Sequence, residues 1–293
     1  MAAATTVRMG SVTQVSSIAS LKTAAADNNI DEIVLADGTY SIVNATSELT
    51  TSLFFGSSLA SRTRPLTIRA ATTGGVTFDG ASASMCGLFT GVGAHDLTFD
   101  GFRFANVNPV STGVVTVSRH ISGADETAPY NLTFKNITIL GTCLGANSPG
   151  NFTDHAVYVA SAALPGPHDL LFEDITVVPP ADTTRLLHSA FHMFGDENAT
   201  DANAYNVTVR RMSATAKDGM LIWGTTISNV LVDTCTFTDC TVFGVRQKYA
   251  NTGMEYRATH STGSGTQGYF CDVAVPDNTP PTGTTFTSGT SFS

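Results

Sequence analysis

Charge is scarce in this chain, and lysine scarcer still. Charged residues fill 13% of the 293 positions, about half the usual ~25%, and only four of them are lysines. No basic run interleaved with aromatics occurs and the formal net charge is -9, which excludes nucleic acid as a partner. The same balance argues against a wholly electrostatic grip on polyanions, while leaving room for a local cationic spot that holds an acidic sugar. Apolar runs of about 18 residues are missing, so insertion of a helix into a membrane is not expected. The five cysteines, Cys86, Cys143, Cys235, Cys240 and Cys271, form no CxxC and no zinc spacing. They read as buried small hydrophobes, with a disulfide between neighbouring repeats as the alternative; the odd count leaves at least one thiol unpaired in a monomer. The start, MAAATTVRMG, lacks the charged-then-apolar pattern of a secretory signal. The composition nevertheless leads us to expect an extracellular protein whose signal peptide is absent from this sequence.

What replaces charge is Thr, Ser, Asn and Gly, residues that suit stacked strands and tight turns better than helices. A block recurs: HDLTFDGFRF from His95, YNLTFKNITI from Tyr130, HDLLFEDITV from His168, YNVTVRRMSA from Tyr205 and SNVLVDTCTF from Ser228. Each block describes two short strands joined by a corner, with period-two alternation sending one face inward. A second strand follows every block: GVVTVSR from Gly113, HAVYVAS from His155, SAFHMFG from Ser189, GMLIWGT from Gly219, FGVRQKY from Phe243 and QGYFCDV from Gln267. A circuit costs 23 or 24 residues from Asn206 to Asn229 to Gly253, and more where loops 141–154, 161–168 and 179–188 are inserted. That is the length of one turn of a parallel β-helix.

The fold class is therefore all-β: a right-handed parallel β-helix, one domain over 1–293, with a cap at about 11–30, rungs over 31–275 and a last rung or tail at 276–293. Phe99, Phe134, Phe172, Val209, Val232, Tyr256 and Phe286 should form one inward column, and Phe104, Ile139, Val177, Ala214 and Phe237 its partner. Trp223 also falls on an inward count. Within 16–28, Ile18, Leu21 and Ala25 share a helical face, which predicts a short amphipathic helix closing the N-terminal mouth. His95 and His168, at block starts, should serve turn hydrogen bonding. Six Asn-X-Thr sequons begin at Asn44, Asn131, Asn136, Asn151, Asn198 and Asn206; a Thr- and Asn-rich β protein produces them by chance.

The segments DEIVLADGTYSI from Asp31, PLTIRAATTGGVTFDG from Pro65 and HDLTFDGFRFANV from His95 resemble the opening of alginate-lyase and chondroitinase-B-like polysaccharide lyases, within the broader pectin-lyase-like superfamily. The resemblance implies the β-helix fold and a polysaccharide partner. It does not carry a catalytic set: the lyases' calcium-holding Glu-X-Glu is missing and their Lys and Arg on successive rungs have no clear counterparts. The Asp-rich signatures of polygalacturonase-like hydrolases and the Asp-Pro-His of alginate epimerases are absent too.

Chemistry is best sought on the outward side of the second strand family. Counting by parity puts Asp154, Ala156, Tyr158 and Ala160 outward, then His188, Ala190, His192 and Phe194, then Asp218, Met220, Ile222 and Gly224, then Val242, Gly244, Arg246 and Lys248. With rungs ~4.8 Å apart, Asp154, His188 and Asp218 form a polar ladder and Tyr158 touches His192. A column of small residues (Ala156, Ala190, Gly244) runs between, and His155 points inward or sideways. Such a trough suits β-elimination on an acidic polysaccharide. Tyr158 and His192 would supply base and acid, Arg246 or Lys248 the carboxylate anchor, and Asp154, His188, Asp218 and Phe194 the substrate wall. Epimerisation shares the first half of that reaction. The alternatives are a non-catalytic, adhesin-like glycan-binding β-helix and a glycoside hydrolase using Asp154 and Asp218, ~9.6 Å apart by rung spacing. No cofactor is required; Ca2+ is the one metal the Asp–His–Asp ladder leaves open, although calcium prefers oxygen ligands. No coiled coil or exposed apolar seam specifies an oligomeric state.

Overall fold

Asn and Asp recur at the second position of each block because the backbone there turns left-handed. The computed structural model describes residues 10–43, 51, 53–56, 59, 61–83, 86–109, 112–119, 127–140, 154–161, 165–181, 186–195, 204–249, 251–265, 267–271, 284–287 and 290–292. In it Asp96, Asn131, Asp169, Asn206 and Asn229 have φ of 51° to 54°, a region these short polar residues enter more cheaply than others. Their side chains stack into a ladder. Asn131 donates to Asp96, Asn206 to Asp169 at 2.9 Å, and Asn229 to Asn206 at 3.2 Å. At the mid-block corner, Asn136 donates to Asp100 at 2.7 Å. The amide nitrogens of the sequon residues Asn131, Asn136 and Asn206 are thus engaged in structure; Asn44, Asn151 and Asn198 lie outside the described residues.

Between corners the chain runs as parallel strands in two sheets. The larger sheet holds the two-strand blocks, in register from rung to rung, and the smaller holds eight strands in consecutive order: Phe54–Phe55, Leu88–Thr90, Thr112–Arg119, Asp154–Ser161, Ser189–Phe194, Asp218–Trp223, Phe243–Gln247 and Gln267–Cys271. All the pairings are parallel and each crossover returns to the next rung, so the chain is a right-handed parallel β-helix. Among the described residues no helix is long and apolar enough to cross a membrane.

The inward columns match the sequence alternation. Phe99, Phe134, Phe172, Val209, Val232, Tyr256 and Phe286 follow one another in register. The rings of Phe99, Phe134 and Phe172 stack at 5.4 and 5.0 Å. Phe104, Ile139, Val177, Ala214 and Phe237 form the second column. Fully burying a Val, Ile or Phe of these columns stabilises by about 1.5–3 kcal/mol, and only stacking makes the burial complete. Cys86, Cys235 and Cys240 are buried, and burial pushes their thiols up to about 12, 12 and 11. They are small core residues; Cys143 lies outside the described residues.

The mouth is closed as the apolar face of 16–28 predicts. The helix Ile18–Ala26 starts at Ser17, which exchanges capping-box bonds with Ser20, and buries Leu21, Ala24 and Ala25. Buried Arg62 donates to the carbonyls of Ala25 and Asp27, which the helix C-terminus leaves open, and to that of Ile30 at the start of the next strand, all at 2.7–2.9 Å. A strand, Ser11–Val15, precedes the helix and pairs with Ile30–Leu35. At the other end Thr284–Thr287 and Ser291–Phe292 add a further rung. His95 and His168 bond the carboxylates of Asp96 and Asp169 at 2.8 and 2.7 Å and stack with Tyr130 and Tyr205.

Candidate functional site

The eight-stranded sheet does not keep strict alternation. Ala156 and Val157 both pack into the core, as do Ala190 and Phe191. On the following rungs the first of the two positions is glycine. A Cβ on Gly219 would lie 2.5 Å from Phe237 Cγ, and one on Gly244 would lie 1.8 Å from Ser261 Oγ. At this corner two consecutive positions point inward, and on these four rungs the first is Ala or Gly; Val114 takes the place on the rung before them. The column Ala156, Ala190, Gly244 therefore faces the core and not the trough.

That corner rearranges the outer face. His155 precedes it and lies outside, opposite Ser189, which stands opposite Asp218 on the next rung. The neighbouring outer row runs Thr116, Tyr158, His192, Leu221, Arg246. A third row holds Ala160, Phe194 and Trp223, with Lys248 beside Trp223. The parity count thus fails for Met220 and Ile222, which sit inward beside Phe191 and Met193. It fails as well for Trp223, which is half-buried on the outer face, whereas His155 is buried and reaches sideways to Ser189 and His192.

Tyr158 and His192 stand opposite each other with ring centroids 5.2 Å apart. His192 Nδ1 lies 2.8 Å from His155 Nε2, and His155 Nδ1 lies 2.6 Å from Ser189 Oγ. His192 is 5% exposed, lies beside Tyr158 and beside Phe194 at 6.0 Å, and its Nε2 has no hydrogen-bond partner among the described residues. Burial, then His188, lowers its pKa to about 3. Burial, then His192 and His188, holds His155 well below its ordinary value. His188 falls to about 4 through burial, then Lys217 and Arg246, whereas burial pushes Tyr158 up to about 12. At neutral pH all three imidazoles are uncharged and the phenol keeps its proton.

The remaining candidates divide into a buried and an exposed group. His188 Nε2 is 3.9 Å from Asp218 Oδ2, but Asp218 stands in register with Ser189, so the expected Asp–His–Asp column is offset by one residue at its third member. Asp154 and Asp218 are only 3% and 1% exposed. Phe194, 36% exposed, and Trp223 form an aromatic ledge. Lys248 Nζ lies 3.6 Å from the Trp223 ring centroid, and the Arg246 guanidinium lies 5.6 Å from Trp223 and 5.4 Å from Phe243, within cation–π range. Among the described residues no group of three or more His, Cys, Asp or Glu is placed to hold a metal ion. The parity count missed His155, Ser189 and Trp223; the signal that could have found them is the run of Ala and Gly across four rungs, the mark of a crowded inward corner.

No protein-family model matches the chain, and no curated protein sequence matches it. Among solved structures it is similar to the PL6 family alginate lyase AlyGC, at 14% identity and a TM-score of 0.42, over 89% of this chain and 40% of that one. It is also similar to an alginate lyase from Paenibacillus sp. str. FPU-7, at 13% identity and a TM-score of 0.43, over 88% of this chain and 97% of that one. A third is the catalytic domain of a GH87 alpha-1,3-glucanase in complex with nigerose, at 11% identity and a TM-score of 0.35, over 94% and 68%. The chain spans well under half the length of the PL6 enzyme.

Proposed function

We propose that this β-helix acts on an acidic polysaccharide lying along the outer face of the eight-stranded sheet, by β-elimination. The observation that carries the reading is the juxtaposition of an uncharged imidazole and a protonated phenol, Tyr158 and His192 at 5.2 Å, with an aromatic ledge flanked by two cations. Removing the proton beside a uronate carboxylate needs a base, a proton donor for the leaving oxygen and a group that takes up charge on the carboxylate. Tyr158 and His192 form the proton-transfer couple, entering the reaction without charge. Phe194 and Trp223 offer apolar faces to sugar rings, and Arg246 and Lys248 hold carboxylates. Arg246 is two rungs from His192, ~9.6 Å by rung spacing, which assigns it to a neighbouring sugar of the same chain.

Hydrolysis is less well supported, because Asp154 and Asp218 are buried beneath the face. A second reading, glycan binding without turnover on the same ledge, draws on the burial of His192, whose Nε2 a sugar reaches only when the Tyr158 and Phe194 rings part. Incubation with alginate, pectate, chondroitin, hyaluronan and gellan-type polymers, followed by ultraviolet absorbance of unsaturated ends, tests the proposal. Absorbance rising on one polymer supports elimination; flat traces on all of them, with retardation on an affinity gel, sink it in favour of binding.

A further inference from the structure

The chain of contacts from Ser189 to His192 has a direction. A neutral imidazole carries one N–H and one bare nitrogen, and burial keeps His155 and His192 neutral. Both nitrogens of His155 are engaged, Nδ1 with Ser189 Oγ at 2.6 Å and Nε2 with His192 Nδ1 at 2.8 Å. One choice at Ser189 therefore decides every proton in the row. When the Ser189 hydroxyl donates, His155 carries its proton on Nε2, donates to His192 Nδ1, and leaves His192 with an Nε2–H. When Ser189 accepts, both rings reverse, His192 Nε2 is bare, and the serine proton must find another acceptor.

Ser189 is fully buried and its hydroxyl has no further partner among the described residues. The donating arrangement leaves one polar group unmatched, the His192 Nε2–H. The accepting arrangement leaves two, the Ser189 O–H and the bare Nε2. An additional unmatched buried group is unfavourable, so the first arrangement prevails. We infer that Ser189 and His155 are positioning residues that hold His192 in its Nε2–H form, so that His192 first presents to a ligand a hydrogen-bond donor suited to a carboxylate or glycosidic oxygen.

The assignment deepens the acidic-glycan reading and rests on it only for the nature of the acceptor. The form with a bare Nε2, able to take a proton, is then the minor tautomer. Reaching it moves the His155 Nε2 proton to His192 Nδ1 and the serine proton to His155 Nδ1. One proton leaves at His192 Nε2 and one enters at Ser189 Oγ, and net charge is unchanged. Among the described residues, the other titratable or ring side chains facing His192 are Tyr158, Phe194 and His188; Lys217, Arg246 and Asp218 act at one remove, through His188.

Imidazole nitrogen NMR on the intact chain at neutral pH tests the inference without any substrate, since it reads which ring nitrogen carries the proton. In the wild type the Nε2–H form of His192 should exceed the Nδ1–H form by about tenfold or more. In Ser189→Ala, where the directing hydroxyl is gone, that ratio should fall by about tenfold, with the Tyr158 and Phe194 ring resonances confirming that the face is intact. A wild-type His192 already in the Nδ1–H form overturns the inference, as does an unchanged ratio in a folded Ser189→Ala. The wild-type spectrum decides the matter even where that variant does not fold. Failure of the elimination reading shows separately, as flat ultraviolet traces beside an unaltered tautomer result.

Discussion

The two sheets of this β-helix are built from the same strand geometry but carry different information. In the larger sheet each column repeats one kind of residue: Asn or Asp at the corner, Phe or Val in the core, His or Tyr at the block start. In the eight-stranded sheet the outer rows change at every rung, as in Thr116, Tyr158, His192, Leu221, Arg246, and the buried members include the polar Thr116 and His192 beside Leu221. Repetition down a column is what stacking rewards, since identical rings and amides satisfy one another at rung spacing. A column that abandons repetition and buries histidines gives up that benefit, and such departures from local consistency are where function is expected.

The contrast can be broken from either side. The largest effect is expected on the heterogeneous face. With a substrate identified by the ultraviolet screen, His192→Ala should lower turnover about 10²–10⁴-fold; activity within a few-fold of wild type would remove His192 from the proton-transfer couple. On the repetitive side, Phe134→Ala cuts a ring stacked between Phe99 and Phe172 and should cost about 3–5 kcal/mol in denaturant unfolding with the face chemistry unaffected. A loss below about 1 kcal/mol would show that the column collapses around the gap and is less rigid than its stacking implies.

The smaller effect sharpens the comparison through pH. His188 and His192 titrate at about 4 and about 3 when folded, against an ordinary 6.5, so the unfolded chain binds protons first on acidification. Their stabilising contribution is present above pH 6.5 and is lost as pH falls towards the folded values, at up to about 1.4 kcal/mol per pH unit for each histidine. Melting temperature should decline from pH 6.5 to 4, and the decline should be shallower in His188→Gln. An identical slope in that variant would place the acid sensitivity elsewhere, in the paired carboxylates of the larger sheet.

Sequence reading served the two sheets unequally. The Phe134 column, the Asn131 and Asn206 corners, the capping helix at Ile18–Ala26 and six of the eight strands of the smaller sheet follow from local spacing, because each depends on a repeat unit and its immediate copy. The pairing of Tyr158 with His192 was legible for the same reason, both lying past the corner where alternation resumes. Trp223, Met220 and Ile222 were misplaced because a two-residue inward corner shifts the count, and period-two reasoning cannot see a corner inside what looks like one strand. The Ala and Gly column was visible; its meaning was not, since only the proximity of Phe237 and Ser261 shows why it must be small.

By itself, then, the sequence determined the solenoid: period, corner residues and core columns are short-range matters that each rung solves in the same way. Tertiary structure decided which side chains meet on the outer face and in what state. His155 lies 34 and 37 residues along the chain from Ser189 and His192, and the burial of the three, the neutrality of the histidines and the direction of their hydrogen bonds arise only when successive rungs close over one another.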